Sequence, residues 1–240
     1  MGAVRMLVAG EQGLIVEFGN AIDPAVNARV HRLARALAAR GLEGVIETVP
    51  TYRSLLVLFD PLILPRERLD SEVEALLAVP VVEEAPGAGG NTVELPVLYG
   101  GEFGPDLAFV ARHNGLSTEE VIAIHSSSSY LVYMLGFTPG FPYFGGMSSR
   151  LATPRLSSPR GKVPTGSVGI AGSQTGVYPV ESPGGWRLIG RTPLRLFDLE
   201  AGRTFLLAPG DVVRFRPMDE EEYWAVLQIE EIRAFERRGR

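Results

Sequence analysis

Residues 136–193 constrain the fold more than any other part of the chain, because they are unusually rich in glycine and proline. The segment holds twelve glycines and eight prolines, 20 of its 58 residues, against 26 of the other 182. A disordered tract would rarely carry many aromatic side chains. This one carries Phe137, Phe141, Tyr143, Phe144, Tyr178 and Trp186. We therefore predict rigid, specifically shaped backbone, with short strands and tight turns, that either approaches a ligand closely or bends into a small barrel.

The same segment is a positively charged island on an acidic protein. Its basic residues are Arg150, Arg155, Arg160, Lys162, Arg187 and Arg191. With Glu181 as its one acid, the segment carries +5, so the net charge of −5 leaves −10 for the rest of the chain. Such an island concentrates anionic ligands, although its arginines could instead pair with acidic loops elsewhere. The acidic total argues against a nucleic-acid binder.

The first 84 residues predict a small α/β domain. Strands are expected at 14–18, 45–49, 54–59 and 81–82, and helices between about 23 and 40 and around 69–77. The first helix has clear ends, since Asp23 and Pro24 suit its start and Gly41 suits its C-terminal cap. The order β-α-β-β-α-β is typical of a ferredoxin-like domain.

A Gly-rich connector at residues 85–91 separates this domain from the remainder, residues 92–240. A strand near 92–98 and a helix around 106–113 follow. Ser117 and Glu120 then form a capping box at the start of another helix, which ends near His125. Beyond Tyr130, short β-like runs separated by turns indicate a barrel or sandwich. The predicted class is therefore α+β, mainly β.

Several classes of site are excluded by composition. The chain has no cysteine, and its histidines, His31, His113 and His125, show no ligand spacing, so no metal site is predicted. A phosphate loop of the Walker type is ruled out because Val163 follows Gly161-Lys162. The apolar runs are too short for a signal peptide or a membrane span. We therefore expect a cytoplasmic protein without membrane contact.

Four strings in the Gly-rich segment resemble one family closely. They are Gly136-Phe137-Thr138-Pro139-Gly140-Phe141-Pro142-Tyr143, Val163-Pro164-Thr165-Gly166-Ser167-Val168-Gly169, Gln174-Thr175-Gly176-Val177-Tyr178-Pro179 and Ser182-Pro183-Gly184-Gly185-Trp186-Arg187-Leu188-Ile189-Gly190-Arg191. They are similar to the KipI family, also called allophanate hydrolase subunit 1, and most like the B subunit of 5-oxoprolinase. The resemblance implies an N-terminal ferredoxin-like α/β domain and a C-terminal cyclophilin-like β-barrel of the carboxyltransferase type.

The resemblance implies a nucleotide-dependent component of a larger enzyme. In that enzyme the B subunit works with an A subunit and with a KipA-like C subunit to convert 5-oxo-L-proline to L-glutamate with ATP hydrolysis. ATP, with magnesium, is the expected cofactor, bound by this chain or by a partner in the assembly. Two alternatives remain: a KipI-like inhibitor of a sensor histidine kinase, and a component of an amide carboxylase or hydrolase acting on urea or allophanate.

Catalytic roles are predicted for His125, Arg155, Arg160 and Gln174. His125 could shuttle a proton or instead stabilise a helix C-terminus. The two arginines could hold a carboxylate or phosphate by a planar fork, or simply tie loops together.

Substrate contacts are predicted for residues that bring hydroxyl groups, aromatic rings or bare backbone to the same loops and strands. They are Gly140, Phe141, Tyr143, Gly166, Ser167, Thr175, Tyr178, Gly185 and Trp186. The hydroxyl groups could equally bond neighbouring turns, and the aromatic rings could simply pack one end of the barrel.

Overall fold

The computed structural model describes residues 4–79 and 90–238. The chain divides into two compact units, residues 1–88 and residues 89–240. The predicted connector at 85–91 lies largely outside the described residues, so its exact bounds stay a prediction.

The first unit is a four-stranded antiparallel sheet with two helices. Its elements are β1 (Arg5–Val8), β2 (Gly13–Glu17), α1 (Pro24–Arg40), β3 (Val45–Pro50), β4 (Ser54–Phe59) and α2 (Arg66–Ala78). The strand order is β1-β2-β4-β3. Alternate residues of β2 and β4, among them Leu14, Val16 and Leu55, are fully buried and pack with the apolar side chains of both helices. Every second residue of the strands and the residues on one face of each helix thus form a single core.

The predicted ends of α1 are confirmed. The Asp23 carboxylate accepts hydrogen bonds from the backbone N–H groups of Ala25 and Val26, and Pro24 occupies the first helical position. At the other end Gly41 adopts a left-handed conformation with φ of 58°. A side chain would be strained there, which explains the glycine.

The predicted strand order needs one correction. The strand β1 precedes the one expected to be first, and it pairs antiparallel with β2 at the edge of the sheet. That edge is where the last strand of a βαββαβ unit would lie. The predicted strand at 81–82 falls outside the described residues.

The second unit is built on a seven-stranded sheet that is nearly closed into a barrel. The strands of this unit, seven in the sheet and two in a separate pair, are β5 (Thr92–Tyr99), β6 (Ser129–Leu135), β7 (Pro142–Gly145), β8 (Arg160–Val163), β9 (Ser167–Ala171), β10 (Gln174–Val177), β11 (Ser182–Gly184), β12 (Arg187–Arg191) and β13 (Val212–Pro217). The order is β10-β9-β12-β5-β13-β6-β7, and the edge strands β7 and β10 lie side by side. Strands β8 and β11 form a separate pair. The predicted mainly-β, cyclophilin-like barrel is therefore confirmed.

Three helices and one turn of 3-10 helix cover this sheet. They are α3 (Leu107–Asn114), α4 (Thr118–Ser127), the 3-10 turn (Ser149–Leu151) and α5 (Glu220–Arg238). The predicted capping box of α4 is present, since Ser117 and Glu120 each accept the other's backbone N–H. Across residues 4–79 and 90–238, none of the helices has both the length and the apolar composition of a membrane span.

Candidate functional site

Four predicted substrate-binding aromatic residues pack together, and we call them the aromatic cluster: Phe141, Tyr143, Tyr178 and Trp186. The Phe141 ring lies at the centre, with ring centroids 5.1 Å from Tyr143, 5.3 Å from Tyr178 and 5.5 Å from Trp186. Gly176 on β10 explains this close packing, because a Cβ there would lie 3.0–3.1 Å from the rings of Phe141 and Trp186. The cluster is separate from the barrel core, and its members Phe141, Tyr178 and Trp186 are buried while Tyr143 is half-buried.

The loop between β6 and β7 fixes Phe141 through three backbone hydrogen bonds. Thr138 donates to Gly136 at 2.7 Å around Phe137, whose φ is 64°, which makes a strained γ-turn. Phe141 donates to Thr138 at 3.0 Å across Pro139 and Gly140, and this positive-φ glycine suits a type II turn. Gly136 then donates to Phe141 at 3.0 Å and closes the loop. Local sequence therefore determines this geometry.

The loop also forms one wall of a surface pocket of about 340 Å³. The lining residues are Leu135, Gly136, Phe137, Thr138, Pro139, Gly140 and Phe205. The predicted site residue Gly140 therefore lies in a pocket wall beside the aromatic cluster.

Two phenol groups give the cluster its polar character. Burial raises the pKa of Tyr143, and Arg155 opposes this rise. Burial likewise raises the pKa of Tyr178, opposed by a hydrogen bond from the Trp186 backbone and by the charges of Arg155 and Arg160. Both phenols are therefore protonated at neutral pH, and both lie within the field of Arg155. Tyr178 is fully buried, whereas Tyr143 is half-buried.

Arg155 is exposed on a backbone that is held on both sides. Its neighbour Pro154 accepts a hydrogen bond from Arg187 Nε at 3.3 Å, and its neighbour Leu156 donates to the Gly185 carbonyl at 2.8 Å. The carbonyl group of the predicted site residue Gly185 thus helps to hold this loop in place. The Arg155 guanidinium makes no ion pair with any residue that the structure describes.

Arg160 is held in place by a carboxylate that the sequence did not single out. Its Nη2 lies 2.9 Å from Asp106 Oδ2 and 3.0 Å from Oδ1, and its Nη1 donates to the Trp186 carbonyl at 3.3 Å. Asp106 also accepts the Leu188 backbone N–H at 2.7 Å. Of the two roles predicted for Arg160, tying loops together is the one that the geometry shows.

Asp106 stands at the N-cap of α3, yet its side chain makes no capping hydrogen bond there. The only sequence signal was its place before a helix, where Asp is usually a cap. Here the carboxylate instead joins α3 to β8 and β12. The guanidinium of Arg187 lies 3.8 Å from the same carboxylate and 3.6 Å from the Phe109 ring centroid, which completes the network.

His125 lies inside the barrel and not beside the aromatic cluster. It is completely buried, and burial lowers the pKa of its imidazole to about 3. Its Nε2 lies 3.0 Å from Thr175 Oγ1 on β10. Successive residues of a strand point to opposite faces, so Thr175 faces the inside of the barrel while Gly176 faces the aromatic cluster. The strand β10 therefore separates His125 from the aromatic cluster, whereas Thr175, one of the predicted substrate contacts, lies on the side of the histidine.

The hydrogen bonds around His125 define which nitrogen carries its proton. Thr175 donates its hydroxyl to the Gly169 carbonyl at 3.0 Å, so it accepts from His125 Nε2–H. The Nδ1 atom then accepts from the Tyr99 hydroxyl at 2.8 Å. A neutral imidazole cannot stabilise a helix C-terminus by its charge. What the structure shows is a buried hydrogen-bonded chain that links β5, α4, β10 and β9, and the catalytic role of His125 stays a prediction.

The remaining predicted residues lie on the strands around the cluster. Gly166 has φ of 81°, and a Cβ there would lie 2.2 Å from the Thr192 carbonyl, so its role in the turn requires glycine. Ser167 is fully buried, and its Oγ has no partner among the described residues. Gln174 begins β10 and is half-buried. The substrate contacts predicted for Gly166 and Ser167 and the catalytic role predicted for Gln174 stay predictions.

The arrangement as a whole suits a small molecule with an anionic group. The half-buried Tyr143 ring can contact a flat ring, and the exposed guanidinium of Arg155, without an ion-pair partner among the described residues, can hold an oxyanion. In the part of the chain that the structure describes, no three His, Asp or Glu side chains converge as a metal site would require.

Comparisons with known proteins identify relatives along most of the chain. The family model of the carboxyltransferase domain, subdomain C and D, matches residues 4–207. The B subunit of 5-oxoprolinase from Bacillus subtilis is 47% identical over 90% of this chain and 93% of its own length. The protein of the same name from Escherichia coli O157:H7 is 43% identical over 92% of this chain and 99% of its own.

One solved structure also resembles the chain. A conserved uncharacterized protein from Pyrococcus horikoshii is 51% identical, covers 92% of this chain and 100% of its own, and superposes with a TM-score of 0.54.

Proposed function

We propose that this chain, which belongs to the carboxyltransferase domain family, subdomain C and D, is the B subunit of a multi-subunit, ATP-dependent 5-oxoprolinase. It shares nearly its whole length with two proteins named as the B subunit of 5-oxoprolinase. The observation that carries the proposal is the 47% identity over 90% of this chain and 93% of the Bacillus subtilis protein. The chain is then a non-autonomous part of a hydrolase that acts on a cyclic amide.

The proposed reaction opens the ring of 5-oxo-L-proline to give L-glutamate. The ring C–N bond breaks, the carbonyl carbon takes a second oxygen from water, and the nitrogen becomes the amino group of glutamate. A five-membered lactam is a poor electrophile, so the hydrolysis of ATP to ADP and phosphate supplies the driving force. The contribution of this chain is to bind the ring beside Tyr143, the half-buried member of the aromatic cluster, and to stabilise negative charge with Arg155.

The proposal includes the A and C subunits as partners, the latter KipA-like, and places the assembly in the cytoplasm, where ATP is available. ATP with magnesium belongs to the assembly in this proposal. We assign no residue of this chain to the metal.

The test is a reconstitution in which single proteins are left out. This chain is combined with the A and C subunits of the same organism, and glutamate formation from 5-oxoproline is measured with ATP. We expect activity from the complete mixture and less than about 1% of it when this chain is left out. A non-hydrolysable ATP analogue is the control.

Full activity without this chain would refute the proposal. A complete mixture that is inactive would also refute it, and the chain would then be assayed as a histidine kinase inhibitor and as a component of an amide carboxylase.

A further inference from the structure

The positively charged segment contains far less available charge than its composition suggests. Arg160 and Arg187 share the Asp106 carboxylate, and Lys162 lies 2.9 Å from Glu181. Arg191 stands 5.1 Å from the Phe103 ring centroid and hydrogen-bonds the Tyr223 hydroxyl. Four of its six basic residues are therefore already engaged.

The two that remain, Arg150 and Arg155, are both exposed and form no ion pair with the described residues. Their surroundings differ. Arg150 belongs to the 3-10 turn, where its backbone N–H bonds the Ser148 hydroxyl. Arg155 instead belongs to the loop that is bonded to Gly185 and Arg187, and its charge acts on Tyr143 and Tyr178 of the aromatic cluster.

Resting on the proposed function, we propose that Arg155, and not Arg160, is the residue that binds the anionic group of the ligand at the aromatic cluster. Arg160 has its Nη2 on Asp106 and its Nη1 on the Trp186 carbonyl, so its fork is already occupied. The loop that carries Arg155 is held by backbone hydrogen bonds, and the Arg155 guanidinium has no carboxylate partner among the described residues. Such a fork binds an oxyanion with two parallel hydrogen bonds.

The ligand group is a small oxyanion, either the carboxylate of the lactam substrate or a phosphoryl group. Of the aromatic cluster, Phe141, Tyr178 and Trp186 are buried, and Tyr143 is the half-buried member. The Tyr143 ring, which lies in the field of Arg155, is therefore the part of the cluster that an attached ring can contact. Arg155 is then the residue that selects a ring with a negative charge over the same ring without one.

The first experiment is a binding titration on the full chain, followed through the Trp186 indole N–H signal in NMR spectra. The probes are 5-oxoproline, inorganic phosphate and 2-pyrrolidinone, which is the same ring without a carboxylate. Each is added to the wild type, to Arg155→Gln, to Arg155→Lys and to Arg150→Gln. The last is a matched control, because it removes an equally exposed charge from the same segment. Melting temperatures confirm that the variants are folded.

We expect Arg155→Gln to weaken binding of the anion about tenfold or more, the loss of one charged hydrogen bond. Arg155→Lys should restore part of it, and Arg150→Gln should stay within about twofold of wild type. An effect on 5-oxoproline alone identifies the carboxylate as the bound group, and an effect on phosphate alone identifies a phosphoryl group. Unchanged binding in Arg155→Gln, or equal losses in Arg155→Gln and Arg150→Gln, would overturn the inference. So would the absence of anion binding by the wild type.

The second experiment uses the reconstituted assembly. Arg155→Gln should raise KM for 5-oxoproline about tenfold and change kcat much less, if the carboxylate is the bound group. Normal kinetics in an active assembly, combined with unchanged binding, reject the role of Arg155 and leave the proposed function standing. An assembly that is inactive even with the wild-type chain rejects the proposed function, and the titration still decides the role of Arg155.

Discussion

His125 makes the free energy of unfolding depend on pH. Its imidazole is neutral in the folded chain, where its pKa is lowered to about 3 by burial. In the unfolded chain it titrates near its ordinary pKa of about 6.5. Between these values the unfolded state binds one more proton than the folded state. Stability therefore falls as the pH falls from about 6.5 towards 3, by about 1.4 kcal/mol per pH unit from this group alone.

We predict that His125→Gln flattens this dependence, although it destabilises the protein at pH 7 by breaking the bonds to Tyr99 and Thr175. Urea unfolding at pH 6, 5 and 4 measures the slope. The matched control is His113→Gln, the same substitution at an exposed histidine. If wild type and His125→Gln lose stability with equal slopes, then His125 is not the buried neutral group described above.

The position of His125 near the end of the predicted helix was clear from the sequence, but its partners were not. Tyr99 and Thr175 lie 26 and 50 residues away along the chain, and only the closure of the barrel brings them to the imidazole. Asp106 was missed for the same reason, because Arg160 is 54 residues away. By contrast, the aromatic cluster was predictable as a group, since its members share one Gly-rich segment.

At the scale of elements, Asp106 fastens α3 to two strands. We predict that Asp106→Ala costs about 3 kcal/mol of unfolding free energy, because it leaves the Leu188 N–H and the Arg160 guanidinium without their acceptor. Asp106→Asn should cost clearly less, since its amide oxygen can still accept from Leu188. Thermal and urea unfolding of both variants provide the comparison. Equal losses would mean that the amide oxygen does not replace the carboxylate at Leu188.

The elements themselves were predicted best where their signals are local. Asp23, Gly41 and the Ser117–Glu120 pair mark helix ends by their own backbone bonds, and all were confirmed. The strand β1 was missed because its four residues, Arg5–Val8, show no alternation of buried and exposed positions. It is a strand because β2 pairs with it, which is a tertiary cause that a short window of sequence does not contain.

At the scale of the whole molecule, strands differ in how completely they are paired. Strand β5 lies between β12 and β13, and β13 lies between β5 and β6. Strands β8 and β11 pair only with each other among the described elements. We predict the slowest amide hydrogen exchange in β5 and β13 and exchange at least about 100-fold faster in β8 and β11. Hydrogen exchange followed by mass spectrometry of peptides measures this. Similar rates in both pairs would contradict the prediction.

The pairing of β5 with β13 also has a consequence for how the protein is made. These strands stand side by side, and the Asn91 N–H bonds the Asp211 carboxylate across 120 residues of chain. A ribosome that adds about 5–20 residues per second needs roughly 6–24 s to make the intervening chain. The first unit pairs its strands within residues 5–59 and can fold during that time. Strands β5 and β6 each keep one edge unpaired until β13 emerges, so a chaperone that shields unpaired strand edges would act on the second unit during synthesis.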